Sequence, residues 1–255
     1  MNISKNIFFI IGFQRCGSTL LRSILNQNSE IFVTPNSILA SIVYQIYDIK
    51  NTDVYTELND FKPFKRILNK VFDLYYQDKT QKYILDQGPW GTPGNFEVLQ
   101  QINFNNKLKF ICLIRPLNEM LASWCRINKP INVEEYIDGL IDKRAVIGKT
   151  MWSIDNLKNN NQEILFINYD NFCKQPEQII NKIYKFLNIR SFKHSFKNLK
   201  QPTTSNEILK FGNQLIIRQE VKKIKRDYDS FCPSKFLVKH KNLSNKINNL
   251  IHESI

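Results

Sequence analysis

The chain has 255 residues, with 36 Lys or Arg against 23 Asp or Glu, a formal charge of +13. Hydrophobic residues make up 42% and aromatic residues 12%, enough for a sizeable core and too much for a disordered chain. No apolar run reaches the roughly 18 residues of a membrane-spanning helix, and 8 Gly and 9 Pro exclude collagen-like and low-complexity classes.

In chain order, Ile7 to Ile11 is a short apolar run closed by Gly12, the pattern of a central parallel strand. From Ser18, the residues Leu20, Leu21, Ile24 and Leu25 recur at helical spacing, and Asn26 to Asn28 end the pattern. Helical stretches follow at about Ile38 to Tyr47 and Phe64 to Tyr76. Lys82 to Leu85 reads as a second strand ending at Asp86, and Leu108 to Ile114 as a third closed by Arg115-Pro116. Helices are expected over about Asn118 to Arg126 and Glu134 to Asn156, a fourth strand over Ile164 to Asn168, and an amphipathic helix over Pro176 to Leu187. This alternation predicts one α/β domain over 1–255: a three-layer sandwich with a central parallel sheet flanked by helices, of the phosphate-loop nucleotide-hydrolase type. Its core is expected over about 6–190, with a basic helical and loop region over about 191–255.

Cys16, Cys112, Cys125, Cys173 and Cys232 are scattered and never form a C-x-x-C pair, so neither a disulfide framework nor a zinc site is expected. Three histidines leave little for a metal centre. Lys5 before Ile7 to Ile11 imitates a signal peptide, but the run is short and Gln14-Arg15 follows it instead of a small-residue cleavage site. A soluble, cytoplasmic protein without a membrane partner is the expectation.

In open parallel sheets, ligands bind beyond the carboxyl ends of the strands. Those positions here are Gln14 to Thr19, Asp86 to Trp90, Arg115-Pro116 and Tyr169-Asp170. Gly12 to Thr19 has the frame G-x-x-x-x-G-S-T, a phosphate loop whose lysine is replaced by Ser18. Loop amides and a helix N-terminus still cradle an anion, the hydroxyls add donors, and Arg15 supplies positive charge. Nucleotide hydrolysis is disfavoured because the lysine and a Mg²⁺-binding partner are missing. A second frame, Cys16-x5-Arg22, matches the spacing of cysteine phosphatases, in which a thiolate attacks phosphorus. It would place Leu20 and Leu21 inside the phosphate loop, against the helical pattern.

Arg15-Cys16-Gly17-Ser18-Thr19-Leu20-Leu21-Arg22 resembles the 5′-phosphosulfate loop of sulfotransferases, in a style nearest the protein-tyrosine and bacterial or viral types. These enzymes use 3′-phosphoadenosine 5′-phosphosulfate (PAPS) and yield the 3′,5′-bisphosphate. Arg115 with Ser123 eight residues later resembles the family's 3′-phosphate pair, and Arg126 adds charge nearby. Ile164 to Phe172 is similar to the family strand ending Y-E-D-L, which implies Tyr169 on the adenine side. Asp86-Gln87-Gly88-Pro89-Trp90 resembles the D/E-K-T-P-W segment near the acceptor, except that Gln87 replaces the usual Lys.

The resemblance implies in-line transfer of a sulfuryl group from PAPS to a hydroxyl or amine, without an obligatory metal. Arg15, Cys16, Gly17, Ser18, Thr19, Leu20, Arg115, Ser123 and Tyr169 would bind the cofactor, with Arg15 also catalytic. Asp86 is the choice for general base, with His194 as an outside candidate. The acceptor is a small molecule, carbohydrate or peptide, and no nucleic acid is expected. Cysteine-dependent phosphatase chemistry and non-catalytic nucleotide or nucleic-acid binding are the alternatives. From Lys193 onward, 13 Lys or Arg stand against 5 Asp or Glu. Lys197, Lys200 and Arg218 are candidates for a closing loop, and Val221 to Asp227 reads equally as a solvated helical face.

Overall fold

The computed structural model describes residues 4–53, 61–200, 219–223 and 227–255. Five strands form one parallel sheet: β1 (Asn6–Ile10), β2 (Ile31–Asn36), β3 (Tyr83–Gln87), β4 (Phe110–Ile114) and β5 (Ile164–Asn168), in the order β2-β3-β1-β4-β5. Around it lie α1 (Ser18–Leu25), α2 (Leu39–Asp48), α3 (Phe61–Tyr75), α4 (Pro93–Gln101), α5 (Leu117–Asn128), α6 (Val133–Ile141), α7 (Val146–Asn159), α8 (Tyr169–Lys174), α9 (Pro176–Leu187) and α10 (Lys241–Glu253). The α/β expectation therefore holds. No helix among the described residues is long and apolar enough to cross a membrane.

Strand β1 lies between β3 and β4, and all five residues of β4 are buried. Continuous apolar runs fit strands covered on both faces. Phe9 stacks on Phe110 with ring centroids 5.5 Å apart and meets Trp90 at 5.2 Å, so the aromatic residues of β1, β4 and the β3–α4 connection share one core. Just beyond β1, a side chain at Gly12 would place its Cβ 2.6 Å from the backbone nitrogen of Leu113. Glycine lets the chain leaving β1 run against β4, which sets the start of the first loop.

Several elements differ from the pattern reading. Strand β2 has only the run Ile31-Phe32-Val33 before Thr34-Pro35, too short to signal a strand by itself. It is an edge strand with a register shift between Val33 and Asn36, where proline is tolerated. The single helix expected over Glu134 to Asn156 is two helices. They are separated by a turn in which the Arg144 amide donates to Asp142 Oδ1 at 2.9 Å and the Ala145 amide to the Asp142 carbonyl at 2.8 Å. Helix α4 starts at Pro93, a favoured first helical position after the extended Thr92.

The basic tail also contributes to the core. Ile247 and Leu250 of α10 are buried, and Ile255 continues the backbone pairing beside β5: its amide donates to Phe166 O at 3.1 Å, and its carbonyl accepts from the Asn168 amide at 3.3 Å. This covers the edge strand that would otherwise expose unpaired backbone groups.

Period-two alternation separates the last two side chains of β3. Gln87 directs its amide toward Ser18, whereas Asp86 is fully buried and does not face the first loop directly. Asp86 accepts hydrogen bonds from the Tyr76 hydroxyl and from Trp90 Nε1 at 3.0 Å, with the Ser37 hydroxyl nearby. Burial raises its carboxyl from 3.8 to about 6, against these three donors, which favour the charged form.

Two outcomes are expected. Gly12→Ala should cost about 1–3 kcal/mol in urea unfolding, because its Cβ meets backbone rather than a movable side chain. A pKa raised in the folded state makes the contribution of Asp86 to stability greatest below about 3.8 and lost as pH rises through about 6. Wild type should therefore lose on the order of 3 kcal/mol relative to Asp86→Asn between about pH 4 and about pH 7. A pH-independent difference would mean that the carboxylate is not desolvated.

Candidate active site

The order of the sheet reverses around β1, and the crevice at such a switch point is where a ligand is expected. The loop after β1 turns through two left-handed residues, Arg15 at φ 69° and Gly17 at φ 93°. Gly17 is the residue before α1 and permits that turn without a Cβ penalty. A side chain there would also put its Cβ 2.7 Å from the Tyr169 ring, so glycine is required for both reasons. Arg15 carries backbone strain, which persists where the surroundings enforce it.

The first intrahelical bond of α1 runs from the Leu21 amide to the Gly17 carbonyl at 3.0 Å. The amides of Ser18, Thr19 and Leu20 thus have no carbonyl within the helix and point out of its N-terminus. There is no acidic residue in this first turn. The turn is therefore a positive-ended cradle for an anion. Ser18 and Thr19 are half-buried, while the side chains of Cys16 and Leu20 are buried in the core. Those two residues can face a ligand only with their backbone.

The structure brings Arg15, Ser123 and Arg115 together. Arg15 Nε donates to Ser123 Oγ at 3.2 Å, and an Arg115 guanidinium nitrogen donates to the Arg15 carbonyl at 3.4 Å. Burial lowers the pKa of Arg15, and the positive charges of Arg126 and then Arg115 lower it further. Burial opposes the charge of Arg115 too, but its ion pair with Glu119 outweighs this and raises its pKa.

Arg115 is framed on several sides. Its Nε lies 2.6 Å from Glu119 Oε2, and another nitrogen donates to the Tyr228 hydroxyl at 3.0 Å. The guanidinium carbon is 4.8 Å from the Tyr169 ring centroid and 5.7 Å from that of Tyr228, both within cation–π range. Tyr169 therefore lies between Gly17 and Arg115. Lys223 bridges Glu119, at 3.1 Å, and Asp170. The group has four cations, Arg15, Arg115, Arg126 and Lys223, against the two carboxylates Glu119 and Asp170. Like charges at this density favour a bound polyanion.

Glu119, Lys223 and Tyr228 were not singled out from the sequence. Glu119 had a readable signal, since it stands four residues after Arg115 on a helix. Lys223 and Tyr228 had none, because their contacts span from 53 to 113 residues of chain. Within the segment Val221 to Asp227, the Lys223 side chain is only 25% exposed and paired twice, whereas Lys222 and Asp227 are exposed and residues 224–226 lie outside the described residues.

The remaining candidates fall elsewhere. Burial pushes the Cys16 thiol well above its ordinary range, and the nearby arginines do not offset this. Arg22 is buried within α1, so the Cys16-x5-Arg22 frame does not form an exposed phosphatase loop with a reactive thiolate. His194 hydrogen-bonds the Tyr184 hydroxyl at 2.9 Å, and burial lowers its pKa. The Lys200 carbonyl accepts from Ser23 Oγ at 2.7 Å, Lys197 lies close by in the same segment, and Arg218 is outside the described residues. Among the described residues there is no cluster of His, Cys, Asp and Glu suited to a metal ion.

No curated protein sequence matches the chain. Solved structures share its fold. A sulfotransferase domain from the curacin biosynthetic pathway is 16% identical, with 99% of each chain covered and a TM-score of 0.56. A mouse sulfotransferase complexed with PAP is 15% identical, covering 98% of this chain and 90% of its own, at TM-score 0.54. A sulfotransferase from Alicyclobacillus acidocaldarius is 14% identical, covering 96% and 97%, at 0.51. The model of the sulfotransferase domain family matches residues 5–231, nearly the whole length, and the chain belongs to that family.

Proposed function

We propose that this sulfotransferase uses PAPS and transfers its sulfuryl group to a hydroxyl or amine of a small molecule, carbohydrate or peptide. The observation that carries this reading is the meeting of Arg15, Ser123 and Arg115 beside the N-terminus of α1. The donor set suits a ligand with two separate anionic groups. It combines unbonded helix amides, two hydroxyls and arginines in a part-buried setting with excess positive charge. Tyr169, held between Gly17 and Arg115, puts an aromatic ring beside this set, in keeping with the adenine side expected for it.

PAPS supplies an activated sulfuryl group whose departure leaves negative charge on the 5′-phosphate. Arg15 and the amides of Gly17 to Leu20 hold that end and stabilise the developing charge. Arg115 and Ser123 hold the 3′-phosphate, and Glu119 with Lys223 fixes the Arg115 guanidinium. Gln87, whose amide nitrogen lies 3.5 Å from Ser18 Oγ, takes the position where the family pattern has lysine and orients that hydroxyl without adding charge.

The proton of the acceptor needs a base, and in this proposal it passes to Asp86 through Ser37. Ser37 is half-buried, its amide donates to the Gln87 carbonyl at 3.0 Å, and its hydroxyl lies near enough to Asp86 to favour the charged carboxylate. Ser37 would pass the proton to a carboxylate poised near 6. Five cysteines without a disulfide suit a reducing compartment, in keeping with a cytoplasmic location.

Titration of the 3′,5′-bisphosphate product against AMP, followed by calorimetry, tests the binding assignment. Arg115→Ala should weaken the bisphosphate by about 10- to 100-fold and leave AMP nearly unchanged. Equal weakening of both, or of neither, would remove Arg115 from the 3′-phosphate. In a sulfuryl-transfer assay, the wild-type rate should rise with pH through about 6 as Asp86 ionises, and this limb should vanish in Asp86→Asn and in Ser37→Ala. A Ser37→Ala enzyme with an unchanged limb would refute the relay.

A further inference from the structure

The segment after α9 is held on the end of α1 by side chains rather than by a regular ladder. Gln27 grips Ser195 twice: its Oε1 accepts from the Ser195 amide at 2.8 Å, and its Nε2 donates to the Ser195 carbonyl at 2.9 Å. One turn earlier, Ser23 Oγ donates to the Lys200 carbonyl at 2.7 Å. The same segment carries a second one. The Leu199 amide donates to the Gln219 carbonyl at 2.8 Å, and the Val221 amide to the Phe196 carbonyl at 3.2 Å. Lys223, two residues beyond Val221, shares Glu119 with Arg115, so one edge of the anion site is held through 195–200.

His194 opens this segment. Asn28 Oδ1 accepts from the Glu30 amide at 3.0 Å, which fixes the orientation of that side chain and leaves its Nδ2 to donate to the Tyr184 hydroxyl at 3.0 Å. Tyr184 then has its own proton to donate to His194 Nε2 at 2.9 Å. This chain of donors requires a neutral ring with its proton on Nδ1. Asn28 and Tyr184 are 4% and 2% exposed, so neither can turn to water. Protonating His194 sets an N–H against the Tyr184 hydroxyl and deprives the hydroxyl proton of its acceptor. Burial lowers the His194 pKa, as this arrangement requires, against a smaller opposite influence of the Ile24 backbone. Of the charged groups on the surrounding elements, Glu30 acts on the Tyr184 hydroxyl, Arg22 is buried within α1, and Lys182, Lys185, Arg190 and Lys193 are exposed.

We propose that His194 is a pH-sensitive latch: its neutral ring holds 194–200 against α1 and α9, and its protonation releases this segment together with the paired 219–221. A pKa lowered in the folded state means that the latch is fully closed above 6.5 and is lost as pH falls through the folded value. Ser23, Gln27 and His194 are thereby positioning residues for Lys223. Acid reaches the anion site through them, from outside the site, by loosening the second partner of Glu119.

The test is an NMR titration of His194 in the full chain, its resonances assigned by their loss in His194→Gln, beside amide hydrogen exchange from about pH 7.5 to about pH 5. At neutral pH the ring should be the Nδ1–H tautomer, with a pKa below 6.5. Protection factors of the Leu199 and Val221 amides should fall on acidification by about tenfold for each unit of that depression. His194→Gln, whose side-chain oxygen still accepts from Tyr184, should hold protection constant over the range. Tyr184→Phe should move the His194 pKa up towards 6.5. Asp86→Asn should leave the fall in place, although Asp86 titrates in the same window. An Nε2–H tautomer, a pKa that is not depressed, or protection independent of pH in wild type would overturn the latch. So would an equal fall in His194→Gln, or a fall that disappears in Asp86→Asn. None of these readouts needs PAPS or an acceptor.

Discussion

Several arginines converge in a part-buried space at the carboxyl ends of β1 and β4, and the surrounding structure is arranged to tolerate them. Arg15, Arg115 and Arg126 repel one another, and burial removes the water that would screen them. Glu119 relieves part of this through its short ion pair with Arg115, and Lys223 then shares Glu119 with Asp170. The remaining positive charge is what a doubly anionic cofactor would neutralise. A site of this kind is held open by the fold rather than by its own contacts, which is why the rigid elements around it matter.

Those elements are the strands on either side of β1. Gly12 brings the backbone leaving β1 against Leu113, so the first loop starts at a fixed distance from the end of β4. Arg115 immediately follows β4, and Tyr169 immediately follows β5, whose register with β4 runs from Phe110–Ile164 to Ile114–Asn168. Two guanidiniums and an aromatic ring are thereby set by three adjacent strand ends. The turn carrying Tyr228 reaches them from the last quarter of the chain, its hydroxyl accepting from Arg115.

Asp86 shows what pattern reading leaves out. The residue was prominent because it ends a strand next to the first loop, but alternation in β3 directs it into the core and turns Gln87 to Ser18. One position along a strand changes the face completely. The surroundings of the carboxylate, Tyr76, Trp90 and Ser37, draw on the turn after α3, the β3–α4 connection and the segment before α2. No local spacing announces a network assembled from three separate stretches.

From the amino-acid order alone came the parallel α/β plan and the expectation of an anion cradle over Gly12 to Thr19, while the family resemblance added Arg115 with Ser123 as the expected 3′-phosphate pair. These are local properties: apolar runs mark buried strands, a glycine before a Ser-Thr helix start leaves amides unbonded, and eight residues on a helix fix where a hydroxyl falls. Edge strand β2, with Pro35 and a register shift, was invisible because its pairing with β3 outweighs its own weak pattern. The places of Glu119, Lys223 and Tyr228 around Arg115, and the burial of Asp86, were decided only by the tertiary structure. Each depends on which distant segment packs against which face, and burial and ion pairing there are set by the assembled neighbours rather than by residue type.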